Sequence, residues 1–309
     1  MIDISDKYET LRSAKAKAVV KATASTIEAV KEGNVPKGNV LEIARAAGVM
    51  AAKRTSEIIP FCHPLRVDFV GIKYELEKNE IIIRSEVKSV GKTGVEMEAL
   101  TAVSVAALTV YDMLKPIDSQ LSIREISLLE KKGGKTDFQD DLPKKLRAGI
   151  LVISDSTFKG ERKDKSGKII EERLKEYPVE LLKYKILPDN QQLISSELKR
   201  LADEEKLDMI ITTGGTGFGP KDLTPEATRE IVDKTAPGIT EAMRAFGQKR
   251  TPYAMLSRNI AGIRGKTLII NLPGSSRGVE ESMSMLFPGI LHAYRIIRGG
   301  GHNNSGKKK

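Results

Sequence analysis

The stretch TTGGTGFGPKDLTPEA, residues 212–227, arranges Gly214, Gly215, Gly217 and Gly219 around one carboxylate, Asp222, directly after the apolar run MII. Glycines lacking Cβ atoms let backbone amides approach an anionic or planar ligand and reach φ > 0 in an anion-binding nest. The segment is neither standard phosphate loop. It has no Walker string, and Pro220 stands where the dinucleotide fingerprint needs its third glycine. Asp222 alone repels phosphate. A divalent cation reverses that repulsion, because Mg²⁺ is typically held by one or two carboxylates together with substrate phosphates. Asp189, in PDN at 188–190, is the candidate second carboxylate. Taken singly, a glycine cluster reads as a turn and an Asp after a strand as a helix cap. Four such motifs, SD at 154–155, PDN, GGTGFGPKD and PGSS from Pro273, each follow a strand-like run, and together they favour a ligand site.

A second constellation lies upstream. Asp112 and Lys115 are three apart on an expected helix and share a face, where opposite charges hold each other. The apolar run LTAVSVAALTV leads directly into Tyr111 and Asp112, so this ionisable end is expected to be buried, and a buried charge needs a partner or a function. A lysine there could act as general acid or base with a shifted pKa. Glu96 and Glu98 sit near the start of the same helix, where the dipole alone would favour acids. His63, between Cys62 and Pro64, reads equally as a ligand contact or a packed loop residue. Cys62 and the scattered histidines lack the spacing of a zinc site.

Those residues need elements to position them. In the first half, SAKAKAVVKA has the period of a strand, and STIE from Ser25 is a capping-box pattern opening a short helix that ends at Gly33. GNVLEIARAAGVMAAKRTSEII is helical up to Pro60, RVDFVGIKYELEKNEIIIRSEVKSV is a hairpin about EKNE, GVEMEALTAVSVAALTVYDMLKP is a long helix, and LSIREISLL is a last strand. This is an α+β pattern with helices covering an antiparallel sheet. In the second half, GILVIS, VELLKYKIL, LDMIITT and TLIINL alternate with helical segments, which predicts an α/β domain, a largely parallel sheet with helices on both faces. Strand ends in such a sheet share one edge, so the four motif loops should converge there. The polar stretch FQDDLPKKLR marks the seam, giving domains over 1–141 and 142–301 and a disordered tail over 302–309.

Composition narrows the classes. The chain has 309 residues, 40% hydrophobic and 30% charged, as expected of two ordinary globular domains. No apolar stretch reads as membrane-spanning, the N-terminus does not read as a secretory signal, and the single cysteine suits a reducing compartment, so a cytoplasmic protein is expected. A net charge of +10 points to anionic partners. With no Trp, 5% aromatics and bases interleaved with acids, small phosphorylated ligands are favoured over nucleic acid.

Two resemblances sharpen these readings. TTGGTGFGPKDLTPEAT, with LPDN upstream and LSRNIAGIRGKTLIINLPGS downstream, resembles the molybdopterin adenylyltransferases of molybdenum cofactor synthesis over about residues 147–300. That likeness implies transfer of AMP from MgATP to molybdopterin with loss of pyrophosphate. Asp189 and Asp222 would carry catalysis and magnesium, while Gly214, Gly215, Thr216 and Gly217, with Pro273, Gly274 and Ser275, would hold the substrate. A non-catalytic molybdopterin-binding or scaffolding module remains the alternative for this half. AAKRTSEIIPFCHPL, GKTGVEMEALTAVSVAALTVYDMLK and KKGGKTDF resemble cyclic pyranopterin monophosphate synthase over about residues 1–138. This second likeness implies a lyase that converts 3′,8-cyclo-7,8-dihydro-GTP to cyclic pyranopterin monophosphate and pyrophosphate. It makes Asp112, Lys37 and Lys115 catalytic and Phe61, Cys62, His63, Met97, Glu98 and Lys131 substrate-binding. The chain then resembles a bifunctional enzyme, lyase and nucleotidyltransferase. Both families assemble with three-fold symmetry, which implies a homo-oligomer, a trimer or hexamer.

Overall fold

The computed structural model describes residues 1–299, and the tail expected at 302–309 lies outside them. The described residues form two compact units, Met1–Asp137 and the stretch from Phe138 onward.

The first unit is a four-stranded antiparallel sheet in the order β2-β3-β1-β4, with β1 Thr10–Lys21, β2 Phe69–Leu76, β3 Glu80–Gly91 and β4 Ser122–Lys132. Period-two alternation buries Ala14, Ala16, Ala18 and Val20 of β1, while Lys15 and Lys17 reach Glu130 and Glu125 of β4 at 3.3 and 2.8 Å. The small alanines let a helix approach closely. Four helices complete the unit: α1 Ala24–Glu32, α2 Val40–Lys53, α3 Thr55–Ile58 and α4 Glu96–Leu114. α4 packs across β1, β3 and β4, and α2 packs on α4.

Two local expectations are corrected. Thr23, not Ser25, caps α1: its side chain accepts from Thr26 N at 3.4 Å. Buried Asp118 fixes the chain there by accepting from Thr23 N at 2.7 Å and Thr23 Oγ1 at 3.0 Å, which places Ser25 already inside the helix. The long helix up to Pro60 breaks at Arg54 into α2 and α3. There Thr55 Oγ1 donates to the carbonyls of Ala51 and Ala52, competing with the helix's own hydrogen bonds. Contrary to the expectation that no apolar stretch reaches spanning length, one helix among the described residues does. α4 has 19 residues and an 18-residue window of mean hydropathy 1.4, long and apolar enough to cross a membrane by length and composition; its inner face is buried against the sheet and α2, whereas Leu108 and Tyr111 are exposed.

The second unit is a six-stranded sheet, β6-β5-β7-β10-β9-β8. Strands β5 Leu146–Ile153, β6 Val179–Leu187, β7 Met209–Thr213 and β10 Thr267–Leu272 are parallel. The short β8 Lys234–Thr235 and β9 Ala261–Arg264 add an antiparallel edge that periodicity did not show. β7 and β10 are buried along their whole length because both faces are covered. α6 Ser166–Leu174, α9 Pro237–Gln248 and α10 Ser276–Leu286 enclose one core, and α7 Gln191–Asp203 with α8 Thr224–Ile231 encloses the other. A single turn, α5 Asp155–Phe158, follows β5.

Gly48 marks the closest approach of α2 to its neighbours. A Cβ there would lie 2.5 Å from Ile72 Cδ1 and 2.8 Å from the Ala102 carbonyl oxygen. Overpacking costs about 1–3 kcal/mol, against a gain in helix propensity of about 1 kcal/mol. Gly48→Ala should therefore lower the thermal midpoint measured by calorimetry, and a raised midpoint would show that α2 has room to move away.

Candidate functional site

The first unit brings Lys37, Asp112 and Lys115 together. Lys37, in the turn before α2, donates from Nζ to Asp112 Oδ2 at 2.8 Å and to the Asp112 carbonyl at 2.8 Å, and Lys115 Nζ lies 2.8 Å from Asp112 Oδ1. The expected burial is not found. The Asp112 side chain is 56% exposed, whereas Val110, Met113 and Leu114 of the same turn are buried. Asp112 occupies the outward face of the last turn, so lysines rather than desolvation set its chemistry. Hydrogen bonds from Lys115 and then Lys37 pull its carboxyl down to about 2, and Asp112 in turn raises Lys115, holding it protonated.

The expected substrate-binding residues lie elsewhere. Phe61, Cys62, His63, Met97 and Glu98 line a cavity of about 710 Å³ at the N-terminal end of α4. Glu98 is buried, and burial pushes its carboxyl up; burial and Glu98 likewise raise the Cys62 thiol. Lys131, on β4, pairs with Glu96 at 3.3 Å and so belongs to this end. Met97 and Asp112 are 15 residues apart on one helix, a separation of about 22 Å at the helical rise. The structure thus splits the sequence-predicted group into two clusters at opposite ends of α4. Sequence reasoning missed the N-terminal residues Met1, Ile2, Ile4 and Lys7, which also line the cavity. The Ile2 carbonyl lies 2.8 Å from His63 Nε2. No motif marks these residues, since only the fold brings the chain start across the cavity.

In the second unit the four motif loops do meet at the C-terminal edge of the parallel strands. Asp155 N donates to Asp189 Oδ2 at 2.8 Å and Asp189 N to Asp155 Oδ1 at 3.1 Å, clasping the loops after β5 and β6. Lys221 Nζ reaches Asp155 Oδ2 at 2.6 Å, tying in the loop after β7. Asp222 Oδ2 accepts from Gly219 N at 2.7 Å. Gly214 and Gly215 have φ of +98° and +63°, and a Cβ on Gly214 would lie 2.2 Å from the Ile153 carbonyl oxygen, so glycine is required there. Thr216 is buried beside them. The loop after β10 is held by Thr213 Oγ1 donating to the Pro273 carbonyl and Ser166 Oγ to the Gly274 carbonyl, each at 2.7 Å. Ser275 caps α10, accepting from Gly278 N.

Burial raises the Asp189 carboxyl; the hydrogen bond from Asp155 N opposes this, and the charges of Asp155 and Asp222 add to it. Asp189 and Asp222 thus feel each other, and a pair of carboxylates at a strand edge is a donor set suited to Mg²⁺ with phosphate oxygens. Pro273 and Ser275 also border a cavity of about 350 Å³ lined by Arg244, Tyr253, Asn259 and Arg277, none of which sequence reasoning singled out.

Comparison with known proteins agrees with this division. Residues 1–134 match the MoaC family, and residues 149–292 match a probable molybdopterin binding domain. A molybdenum cofactor biosynthesis bifunctional protein of Chlorobaculum tepidum is 39% identical over 302 residues, covering 98% of this chain and 96% of that protein. One of Synechococcus elongatus is 36% identical over 315 residues, 98% of each chain. A cyclic pyranopterin monophosphate synthase of Clostridium perfringens is 53% identical over 138 residues, 44% of this chain and 87% of that enzyme.

The charge cluster about Asp112 can be tested directly. In a carboxyl-detected NMR titration Asp112 should titrate near 2, and Lys115→Ala should move it up toward the ordinary aspartate value of about 3.9. A midpoint near the ordinary value in the parent chain would contradict the cluster.

Proposed function

This chain belongs to the family of bifunctional molybdenum cofactor biosynthesis proteins, and we propose that its two units catalyse two separate steps on phosphorylated pterins or their precursor. In the first unit the substrate is 3′,8-cyclo-7,8-dihydro-GTP, and the products are cyclic pyranopterin monophosphate and pyrophosphate. The observation that carries this reading is the Lys37–Asp112–Lys115 cluster, an ionised carboxylate between two lysine ammonium groups. Lys115, kept protonated by Asp112, can stabilise a departing or developing anion as a fixed positive charge, and Asp112 keeps both lysines oriented. At the other end of α4, Phe61, Cys62, His63 and Met97 shape the cavity, buried Glu98 offers a carboxyl held toward its protonated form, and Lys131, paired with Glu96 at that end, would supply positive charge for the triphosphate.

One copy cannot bring these two ends together. Leu108, Tyr111, Asp112 and Lys115 follow helical spacing on one face of α4, and the apolar pair Leu108 and Tyr111 is 58% and 39% exposed. A second copy seated on that face would place its own cavity against the charged cluster, and a trimer or hexamer supplies such contacts.

In the second unit the reaction is adenylylation of molybdopterin by MgATP with release of pyrophosphate. Asp189 and Asp222 would hold magnesium, which when bound supplies charge neutralisation between two polyanions. The glycine bend 214–217 and the Pro273–Ser275 loop bind and orient the pterin, with the adjoining 350 Å³ cavity to enclose it.

Asp112→Ala should reduce cyclisation by at least about 100-fold and leave adenylylation intact, and Asp222→Ala should do the reverse, both followed by chromatography of products from one purified sample. Loss of neither activity would remove the assignment, and absent pyrophosphate release from the parent chain with MgATP and molybdopterin would make the second unit a binding module. Mixing unfolded Asp112→Ala and His63→Ala chains and refolding them together should restore cyclisation that neither has alone. No restoration would refute a site shared between copies.

A further inference from the structure

The bend between β7 and α8 has no regular backbone ladder to hold Asp222, and its glycines make it costly to order. Three of its carbonyls are gripped by one residue 36 positions downstream. The backbone N–H of Arg258 donates to the Thr216 carbonyl at 2.9 Å, Nε to the Gly217 carbonyl at 2.7 Å and Nη2 to the Asp222 carbonyl at 2.5 Å. Glu226, in the first turn of α8, pairs with Nη1 and, at 3.4 Å, with Nη2, which orients the guanidinium plane.

We propose that Arg258 is the positioning residue for Asp222, clamping both ends of the glycine bend so that the Asp222 carboxylate is presented at the strand edge. The linkage is continuous: the guanidinium fixes residues 217 and 222, and between them Gly219 N donates to Asp222 Oδ2 at 2.7 Å, fixing the carboxylate itself. Only a planar fork spans two carbonyls and a carboxylate at once. An ammonium group is a single point of contact and reproduces part of this grip. Arg258 is two-thirds buried, so its charge-assisted bonds are only partly screened. The catalytic consequence rests on the adenylylation reading above, whereas the clamping of the bend does not.

The test uses the full chain with Arg258→Gln and Arg258→Lys, read by hydrogen exchange of the 214–223 backbone amides and by kcat and KM for pyrophosphate release from MgATP and molybdopterin. Cyclisation by the first unit verifies active chain, and exchange in β7 verifies that the second unit is folded. Arg258→Gln should speed exchange in the bend about tenfold without affecting β7, and should lower kcat by about 10- to 100-fold, as expected for a misplaced catalytic group, with KM little changed. Arg258→Lys should fall between the two on both readouts. Unaltered exchange in the bend overturns the proposal, as does a loss confined to KM. If the parent chain releases no pyrophosphate, the adenylylation reading fails and exchange alone decides whether Arg258 clamps the bend. If Arg258→Gln does not fold, Arg258→Lys decides by the same measurements.

Discussion

A buried helix of 19 residues cannot bend to join its own ends, and the first unit is organised by that rigidity. The alanines of β1 admit α4 on one side, and Gly48 admits α2 on another, so α4 is held by close contacts on two sides. Its inner face is buried along its length, and ionisable side chains gather at its two ends. Its N-terminal end carries Glu96 and Glu98 beside a cavity, and its C-terminal end turns Asp112 outward to two lysines. The distance between those ends is fixed by the core, so within one copy the charged cluster and the cavity stay about 22 Å apart.

The second unit is governed by a different constraint, the repulsion among Asp155, Asp189 and Asp222 at one sheet edge. Parallel strands place their carboxyl ends together whether or not the side chains there agree. Agreement is reached through backbone donors and one cation: each of Asp155 and Asp189 accepts the other's N–H, Asp222 accepts from Gly219, and Lys221 neutralises Asp155. The positive φ of Gly214 and Gly215 folds the bend back toward those loops, where a side chain on Gly214 would strike the β5 backbone. The glycines answer to packing as much as to ligand access.

Much of this was legible in the residues. Alternation places the core strands, and the four motif loops belong to one edge on sequence alone, because in a parallel sheet strand order does not affect which end a loop leaves from. Asp112 with Lys115 followed from helical spacing. What escaped notice depends on long-range partners. Thr23 takes the cap from Ser25 because Asp118, 95 residues away, holds it. Arg258 lies in the LSRN stretch, but nothing local shows its role, since its grip on the bend exists only after β10 has paired with β7 and β9 with β10. The exposure of Asp112 was misread from the apolar run before it: Val110, Met113 and Leu114 are buried on one side of a turn whose other side is open. The split across α4 was within reach of simple counting, yet motif likeness had grouped the residues by family and not by position on the helix.

The two sites depart from ordinary aspartate behaviour in opposite directions, and this follows from where each carboxylate sits. Asp112 is exposed and flanked by lysines, so its folded pKa falls to about 2; its ion pairs are fully formed above the ordinary aspartate range and are lost only as the pH drops toward that value. Asp189 is partly buried among like charges, so its folded pKa lies above the unfolded one; ionising it costs stability at neutral pH, and that cost is relieved as the pH falls through the raised value. Acidification therefore reaches Asp189 before Asp112. Protonation of Asp189 relaxes the crowding of carboxylates at the sheet edge, while the Asp112 ion pairs persist to lower pH. Under the proposed adenylylation, a bound cation would relieve the crowding that raises Asp189, whereas the lysines beside Asp112 keep that carboxylate ionised well below neutral pH.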